Sequence, residues 1–344
     1  MDKVSIVIPA RNEEKFLPKC LASVQAQTYP HEFLEIILVD SASEDGTRRI
    51  MEEFAKESDI EVKILENPRG DTPTALNVGF KNATGDLILH LIAHIEIMPD
   101  HIERAVKILH EKNADGVAGK IVPVGSGYDT FWDSGISAAL ESPFGLGNST
   151  ARVSSKAGWV DNPMITLYRS DLFDRFGYQD ERLTRNEDYE FHQRCYAGGA
   201  KFWFEPSIKV LYRNRPNLRQ LWRQFFNAAK WRTFMIGEHI GAVKLRHLVP
   251  PAFVLSLILS AVASMFSKIF IPIFVAIVLV YFSGIAINTI LSAIFRKKIS
   301  VLITLPLALM TIHFAYGIGF LVGLFYFFVL GKKKEVLFAE KQYH

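Results

Sequence analysis

From Leu248 to Gly331 the chain carries four charged residues, Lys268, Arg296, Lys297 and Lys298, and no Asp or Glu. About 20 consecutive apolar residues are enough to cross the hydrocarbon core of a bilayer. A buried helical core in a water-soluble protein would be expected to keep polar faces and caps. Residues 248–266 and 269–295 have the length and composition of membrane spans, and a third candidate lies within 300–330. Pro306, Gly317, Gly319 and Gly323 predict a bent or re-entrant course for that third segment. Apolar residues make up 49% of the chain, and the excess is concentrated here.

The approach to this stretch is basic. Between Lys209 and His247 there are nine Lys and Arg against one acid, Glu238. Basic residues next to a first span favour the cytoplasmic side and attract anionic headgroups. Membrane lipids, rather than nucleic acid, are therefore the expected partner of this charge. Within 218–236, aromatic and basic residues alternate in the manner of an amphipathic helix lying in the membrane interface. Arg296-Lys-Lys298 and Lys332-Lys-Lys334 both read as cytoplasmic, yet one span between them would separate them. Three spans are expected. No charged-plus-apolar leader precedes Val4, so the N-terminal part is expected to stay in the cytoplasm. Cys20 and Cys195 are spaced for neither a zinc site nor a disulfide framework.

The first 120 residues alternate strand and helix. Val4–Pro9 and Ile36–Val39 are apolar, β-branched runs that stop at polar turns, as buried parallel strands do. Further strands are expected at 62–66, 87–91 and 116–122, with helices at 13–26, 47–56, 72–82 and 100–112 between them. Repeated βαβ units predict a parallel, doubly wound sheet. Residues 125–158 read as a long surface excursion of the kind that forms lids. A strand at 158–168, a short helix at 170–176, a helix at 186–198 and a strand at 201–205 follow.

In open α/β sheets ligands bind at the carboxyl ends of the strands, where Arg11, Glu13, Asp40 and Ser41 are delivered. Asn67-Pro-Arg-Gly-Asp71 ends the third strand; Arg69 could meet a phosphate, and Gly70 allows close backbone approach. After the fourth strand, alternation sends His90, Ile92, His94 and Glu96 to one face of an extended segment. There His94 and Glu96 could contact a divalent cation. Asn186-Glu-Asp188 opens a helical segment beside Arg182 and Arg185, either as a helix cap or as a pair of catalytic carboxylates.

Together, Pro9-Ala-Arg-Asn-Glu-Glu14, Val39-Asp-Ser-Ala-Ser-Glu-Asp-Gly-Thr47, Gly85-Asp86 and Asn186-Glu-Asp188 resemble the family 2 glycosyltransferases. Glu141-Ser-Pro-Phe-Gly-Leu-Gly147, Leu245-Arg-His-Leu-Val-Pro-Pro251 and His313-Phe-Ala-Tyr-Gly-Ile-Gly-Phe320 are similar to the succinoglycan-biosynthesis branch. The resemblance implies an α/β nucleotide-diphosphosugar (GT-A) fold with a mixed sheet, followed by a helical membrane region. It implies a glycosyltransferase domain over 1–214, an interface helix over 215–247, spans over 248–331 and a basic tail over 332–344.

The resemblance also assigns roles. Pro9, Ala10, Arg11 and Glu13 would line the nucleotide pocket, and Asp40 would accept a hydrogen bond from the base. Asp188 would be the general base of an inverting transfer, positioned by Glu187. The implied donor is a UDP-hexose, and the implied acceptor is a polyprenyl-linked saccharide at the cytoplasmic membrane face. A polyprenyl-phosphate monosaccharide synthase is the alternative enzyme, and a degenerate, non-catalytic subunit is the alternative of another class. The family's metal signature begins with Asp, where this chain has Ile92; His94 and Glu96 stand where Mn²⁺ or Mg²⁺ is usually held. Gln224 is followed by Trp231-Arg232 at longer spacing than in processive members, which argues against a polymer-extruding synthase.

Overall fold

The computed structural model describes residues 1–183, 185–237 and 243–331; the expected basic tail at 332–344 lies outside the described residues. Among the described residues one sheet contains nine strands. They are β1 (Val4–Ala10), β2 (Leu34–Asp40), β3 (Glu61–Glu66), β4 (Leu87–His90), β5 (Ile95–Ile97), β6 (Gly116–Pro123), β7 (Gly158–Val160), β8 (Thr166–Arg169) and β9 (Phe202–Tyr212). Their order is β3-β2-β1-β4-β8-β6-β9-β5, with β7 paired to β9.

The expected parallel pairing holds for β3, β2, β1 and β4 only. Beside β4 comes β8, running antiparallel, and β6 pairs antiparallel with β8 rather than joining the parallel set. The strand expected over 158–168 is two short ones, β7 and β8, separated by a turn in which Ile165 takes φ +50°. The sheet is mixed because its second half is built from returning strands.

Helices α1 (Leu17–Gln25), α2 (Thr47–Glu57), α3 (Thr72–Asn82) and α4 (His101–Lys112) follow β1, β2, β3 and β5. After β6 come α5 (Asp133–Glu141), α6 (Pro143–Leu146), α7 (Thr150–Val153), α8 (Asp171–Phe176) and α9 (Glu187–Ala197). The chain ends in α10 (Leu218–Phe234), α11 (Leu245–Phe266), α12 (Ile271–Arg296) and α13 (Val301–Leu324). Strand alternation divides the sheet's apolar residues between two faces. Ile6 and Ile8 pack with Leu17 and Leu21 of α1 and Ile102 and Leu109 of α4. Val7, Ile37 and Val39 face Leu76 and Phe80 of α3 and Phe191 of α9.

The chain divides into two compact units: Met1–Val122 with Thr150–Tyr212, and Pro123–Ser149 with the helices from Arg213 onward. Residues 123–149 thus leave the domain expected over 1–214. They are not a surface excursion either. In α5, Gly135 through Leu140 are buried, and Ile136 and Leu140 cluster with Leu305 and Leu309 of α13. A Cβ on Gly135 would lie 2.4 Å from the Thr304 carbonyl carbon, so the small residues that resembled a loop are there for close helix packing.

Three helices are long and apolar enough to cross a membrane among the described residues: Leu245–Phe266, Lys268–Arg296 and Val301–Val329. The third segment is one continuous helix rather than an interrupted one. Helix α13 continues past Pro306 and ends in a π-helical turn, Phe325–Val329. Its glycines mark close approaches instead: a Cβ on Gly317 would lie 2.7 Å from the Pro250 carbonyl oxygen, and one on Gly319 2.4 Å from that of Phe226.

Candidate active site

Strands β1 and β2 end in register, Ala10 opposite Asp40. Beyond them the backbones stay tied: Ser41 N donates to the Ala10 carbonyl at 2.9 Å, and Asn67 N to the Asp40 carbonyl at 2.8 Å. A cleft of about 270 Å³ opens here. Its walls are Pro9, Ala10, Arg11 and Glu13 after β1, Ser41 after β2, and Arg69, Gly70, Asp71 and Thr72 after β3. Ile92, Ala93 and His94 after β4, together with Arg185, complete the lining.

Two arginines enter this cleft with different commitments. Arg11 Nη1 donates to the Gly70 carbonyl at 3.0 Å, and Arg11 makes no ion pair among the described residues. Gly70 takes φ +70°, a conformation that favours glycine, and a Cβ there would sit 2.7 Å from Arg11 Nη1 and push the guanidinium aside. Arg69 is already paired, at 2.5 Å to Glu181 and 3.3 Å to Asp71. Arg11 is therefore the cation better placed for an anionic ligand.

The segment after β4 is not uniformly extended. Ile95 N donates back to the Ile92 carbonyl at 3.2 Å, so a turn precedes β5 and interrupts the expected alternation. His90 is buried, and burial alone lowers its pKa to about 4. Glu96 lies opposite Leu211 in β5 and is not among the cleft's lining residues. His94 does line the cleft. Its Nδ1 lies 2.9 Å from Glu13 Oε1, and its ring meets Tyr212 edge-on at 5.6 Å. When the imidazole donates from Nδ1 to a carboxylate, Nε2 keeps the lone pair that a metal or a hydroxyl would use. Glu13, read from the sequence as a nucleotide contact, is thus occupied in orienting His94.

Among the described residues no three His, Cys, Asp or Glu side chains converge to hold a metal ion. His94 offers one imidazole to a divalent cation, whose remaining ligands would be water and phosphate oxygens; an all-oxygen shell is the usual habit of Mg²⁺.

At the start of α9, Asn186 takes φ +62° and turns the chain into the helix. Glu187 and Asp188 occupy its first turn, where the helix dipole favours negative charge. Tyr189 N donates to Asp188 Oδ1 at 2.7 Å. Burial and then the neighbouring Asp188 raise the Glu187 pKa; Asp71 adds to the rise and Arg185 opposes it. Adjacent carboxyl groups with unequal environments separate into one that holds a proton and one that stays ionised.

The cleft thus gathers seven of the residues singled out from sequence: Pro9, Ala10, Arg11, Glu13, Ser41, Arg69 and His94. Asp40, Glu96, Glu187 and Asp188 are not among its lining residues. Asp40 Oδ1 instead accepts from Ser43 N at 3.2 Å. Asp71, Thr72 and Arg185 had no assigned role in the sequence reading; the electrostatic influence of Asp71 and Arg185 on Glu187 links this wall to α9.

The family described as "Glycosyl transferase family 2" matches residues 5–177. The chain is 28% identical to the succinoglycan biosynthesis protein ExoA of Rhizobium meliloti (strain 1021), over 72% of this chain and 74% of that protein. It is 26% identical to the dolichyl N-acetyl-alpha-D-glucosaminyl phosphate 3-beta-D-2,3-diacetamido-2,3-dideoxy-beta-D-glucuronosyltransferase of Methanococcus voltae, over 94% of this chain and 98% of the relative. Among solved structures, the mannosyltransferase PcManGT from Pyrobaculum calidifontis, in complex with GDP-Man and Mn²⁺, shares the fold. Its TM-score is 0.60 at 18% identity, covering 93% of this chain and 86% of that one. The nucleotide-diphosphosugar fold and these relatives agree on one conclusion: the chain is a glycosyltransferase and belongs to glycosyl transferase family 2.

Proposed function

We propose that the protein is an inverting hexosyltransferase that takes its sugar from a nucleotide diphosphate, a UDP-sugar, and passes it to a polyprenyl-linked saccharide at a membrane. The observation that carries this reading is the cleft at the ends of β1, β2 and β4, where the Arg11 guanidinium makes no ion pair among the described residues. Relatives that act in succinoglycan biosynthesis and on a dolichyl-linked sugar phosphate support the lipid-linked acceptor. In the proposed reaction the Asp188 carboxylate takes the proton from the acceptor hydroxyl. The hydroxyl oxygen bonds to the anomeric carbon from the face opposite the diphosphate, whose oxygen leaves with the bonding electron pair. Burial and then Asp188 hold the Glu187 carboxyl in its protonated form over a wider pH range, so that it can donate a hydrogen bond beside the base. Pro9, Ala10 and Ser41 flank the nucleotide, Asp40 at the end of β2 would accept from its base from behind this lining, and Arg11 meets the diphosphate. His94, oriented by Glu13, would hold Mn²⁺ or Mg²⁺, which supplies charge neutralisation for the leaving group.

A donor screen by mass spectrometry on membranes, run with wild type and Asp188→Asn, tests this. The expected outcome is a sugar–lipid product from one nucleotide sugar with wild type, at least about a thousandfold less with the variant, and unchanged donor binding. Undiminished turnover in Asp188→Asn would move the base elsewhere. A single sugar on polyprenyl phosphate as product would favour the monosaccharide synthase.

A further inference from the structure

Helices α11, α12 and α13 share length and apolarity but not surroundings. In its most apolar stretch α12 has 6% of its residues buried in the protein and α11 17%, whereas α13 has 44%. The first half of α13 packs on α5, where Leu305 and Ile312 join Ile136 and Leu140 in one apolar cluster. Its second half lies along α10. A Cβ on Gly323 would meet the Lys230 carbonyl oxygen at 2.8 Å, and Phe327 closes on Trp231 and Phe234 with ring centroids 6.0 and 5.4 Å apart.

Helix α10 is a poor companion for a bilayer crossing. It carries Arg219, Arg223, Lys230 and Arg232, and Lys230 Nζ sits 5.2 Å from the Tyr326 ring centroid. Charge at hydrocarbon depth is costly, and a spanning α13 would draw this helix in beside it. The flanking charge agrees. Arg296-Lys-Lys298 precedes α13 and Lys332-Lys-Lys334 follows it in sequence. Both clusters favour the cytoplasmic side, and a spanning helix would force them apart.

We infer that α13 does not cross the membrane. Helices α11 and α12 form a hairpin of two spans, and α13 lies at the cytoplasmic surface, held by α5, α10, the start of α11 and the middle of α12, where Tyr281 and Ile285 meet it. Exposed Ile303, Leu307 and Val322 of α13, and Phe325 in the turn after it, share one side and meet the lipid interface there. This inference rests on the helical unit alone and stands whether or not the proposed donor and acceptor are right.

The test is side-specific labelling of full-length single-site variants, Ser267→Cys, Lys298→Cys and Gly331→Cys, with an impermeant maleimide on intact and permeabilised cells. The native Cys20 and Cys195 are buried and contribute little background. The inference expects position 267 to label in intact cells, and positions 298 and 331 to gain at least about tenfold only on permeabilisation. Labelling of 298 and 331 from opposite sides would overturn it. Equal protection of all three in intact cells would overturn the hairpin. Both 298 and 331 outside with 267 inside would uphold the placement of α13 and overturn the orientation. Where a cysteine variant fails to accumulate, a fluorescent protein fused to the C-terminus decides, since it matures when cytoplasmic and stays dark outside.

Discussion

Arg11 and Arg69 enter the same cleft, yet only Arg69 is already neutralised, by Glu181 and Asp71. If the proposed donor is right, Arg11→Ala is expected to weaken UDP binding by about 2 kcal/mol, roughly thirtyfold in Kd, and Arg69→Ala by much less, as read by calorimetry. Glu187 offers a pH test. Its pKa in the folded chain is raised above 4.5, so its contribution to stability is complete below that value and is lost as pH climbs through the raised value. Glu187→Gln stays neutral throughout. Its melting temperature should match wild type at low pH and exceed it increasingly from pH 4.5 up to about 8. Residue types at strand ends were legible because a short apolar run that stops at a charged turn leaves few places for that turn to go. The Glu13–His94 pairing was not, since 80 residues separate the partners and only the fold brings them within 2.9 Å.

At the scale of elements, sequence periodicity located the parallel half of the sheet and placed α3 at its observed bounds, where Asp71 caps the helix by accepting from Thr74 N. It failed where neighbours decide the conformation. Strand β9 runs to Tyr212, seven residues beyond the expected end at 205, because β5 supplies ladder partners for Val210 through Tyr212. Small residues in α5 read as loop, and the glycines of α13 gave no sign of their close packing, because tertiary packing against another helix leaves no local periodic signal. That packing makes its own forecast. Gly319→Val places its branched side chain against the Phe226 carbonyl and should cost about 1–3 kcal/mol, lowering the melting temperature in detergent, whereas Val322→Ala on the exposed side should change it little.

For the whole molecule, the sequence suggested a clean cut between a front domain and a membrane tail. The fold instead weaves them, since residues 123–149 leave the sheet unit after β6 and return at α7. Engineers seeking a water-soluble version would naturally stop the polypeptide at Tyr212, just past β9. That shortened version would keep Ile136 and Leu140 while discarding Leu305 and Leu309, the residues that shelter them. Light scattering should find it clumped, and swapping residues 125–147 for a brief glycine–serine bridge should restore a monodisperse species. The insertion thereby makes the sheet unit and the helical unit inseparable for a designer: a foreign helical tail would leave Ile136 and Leu140 without the helix that shelters them.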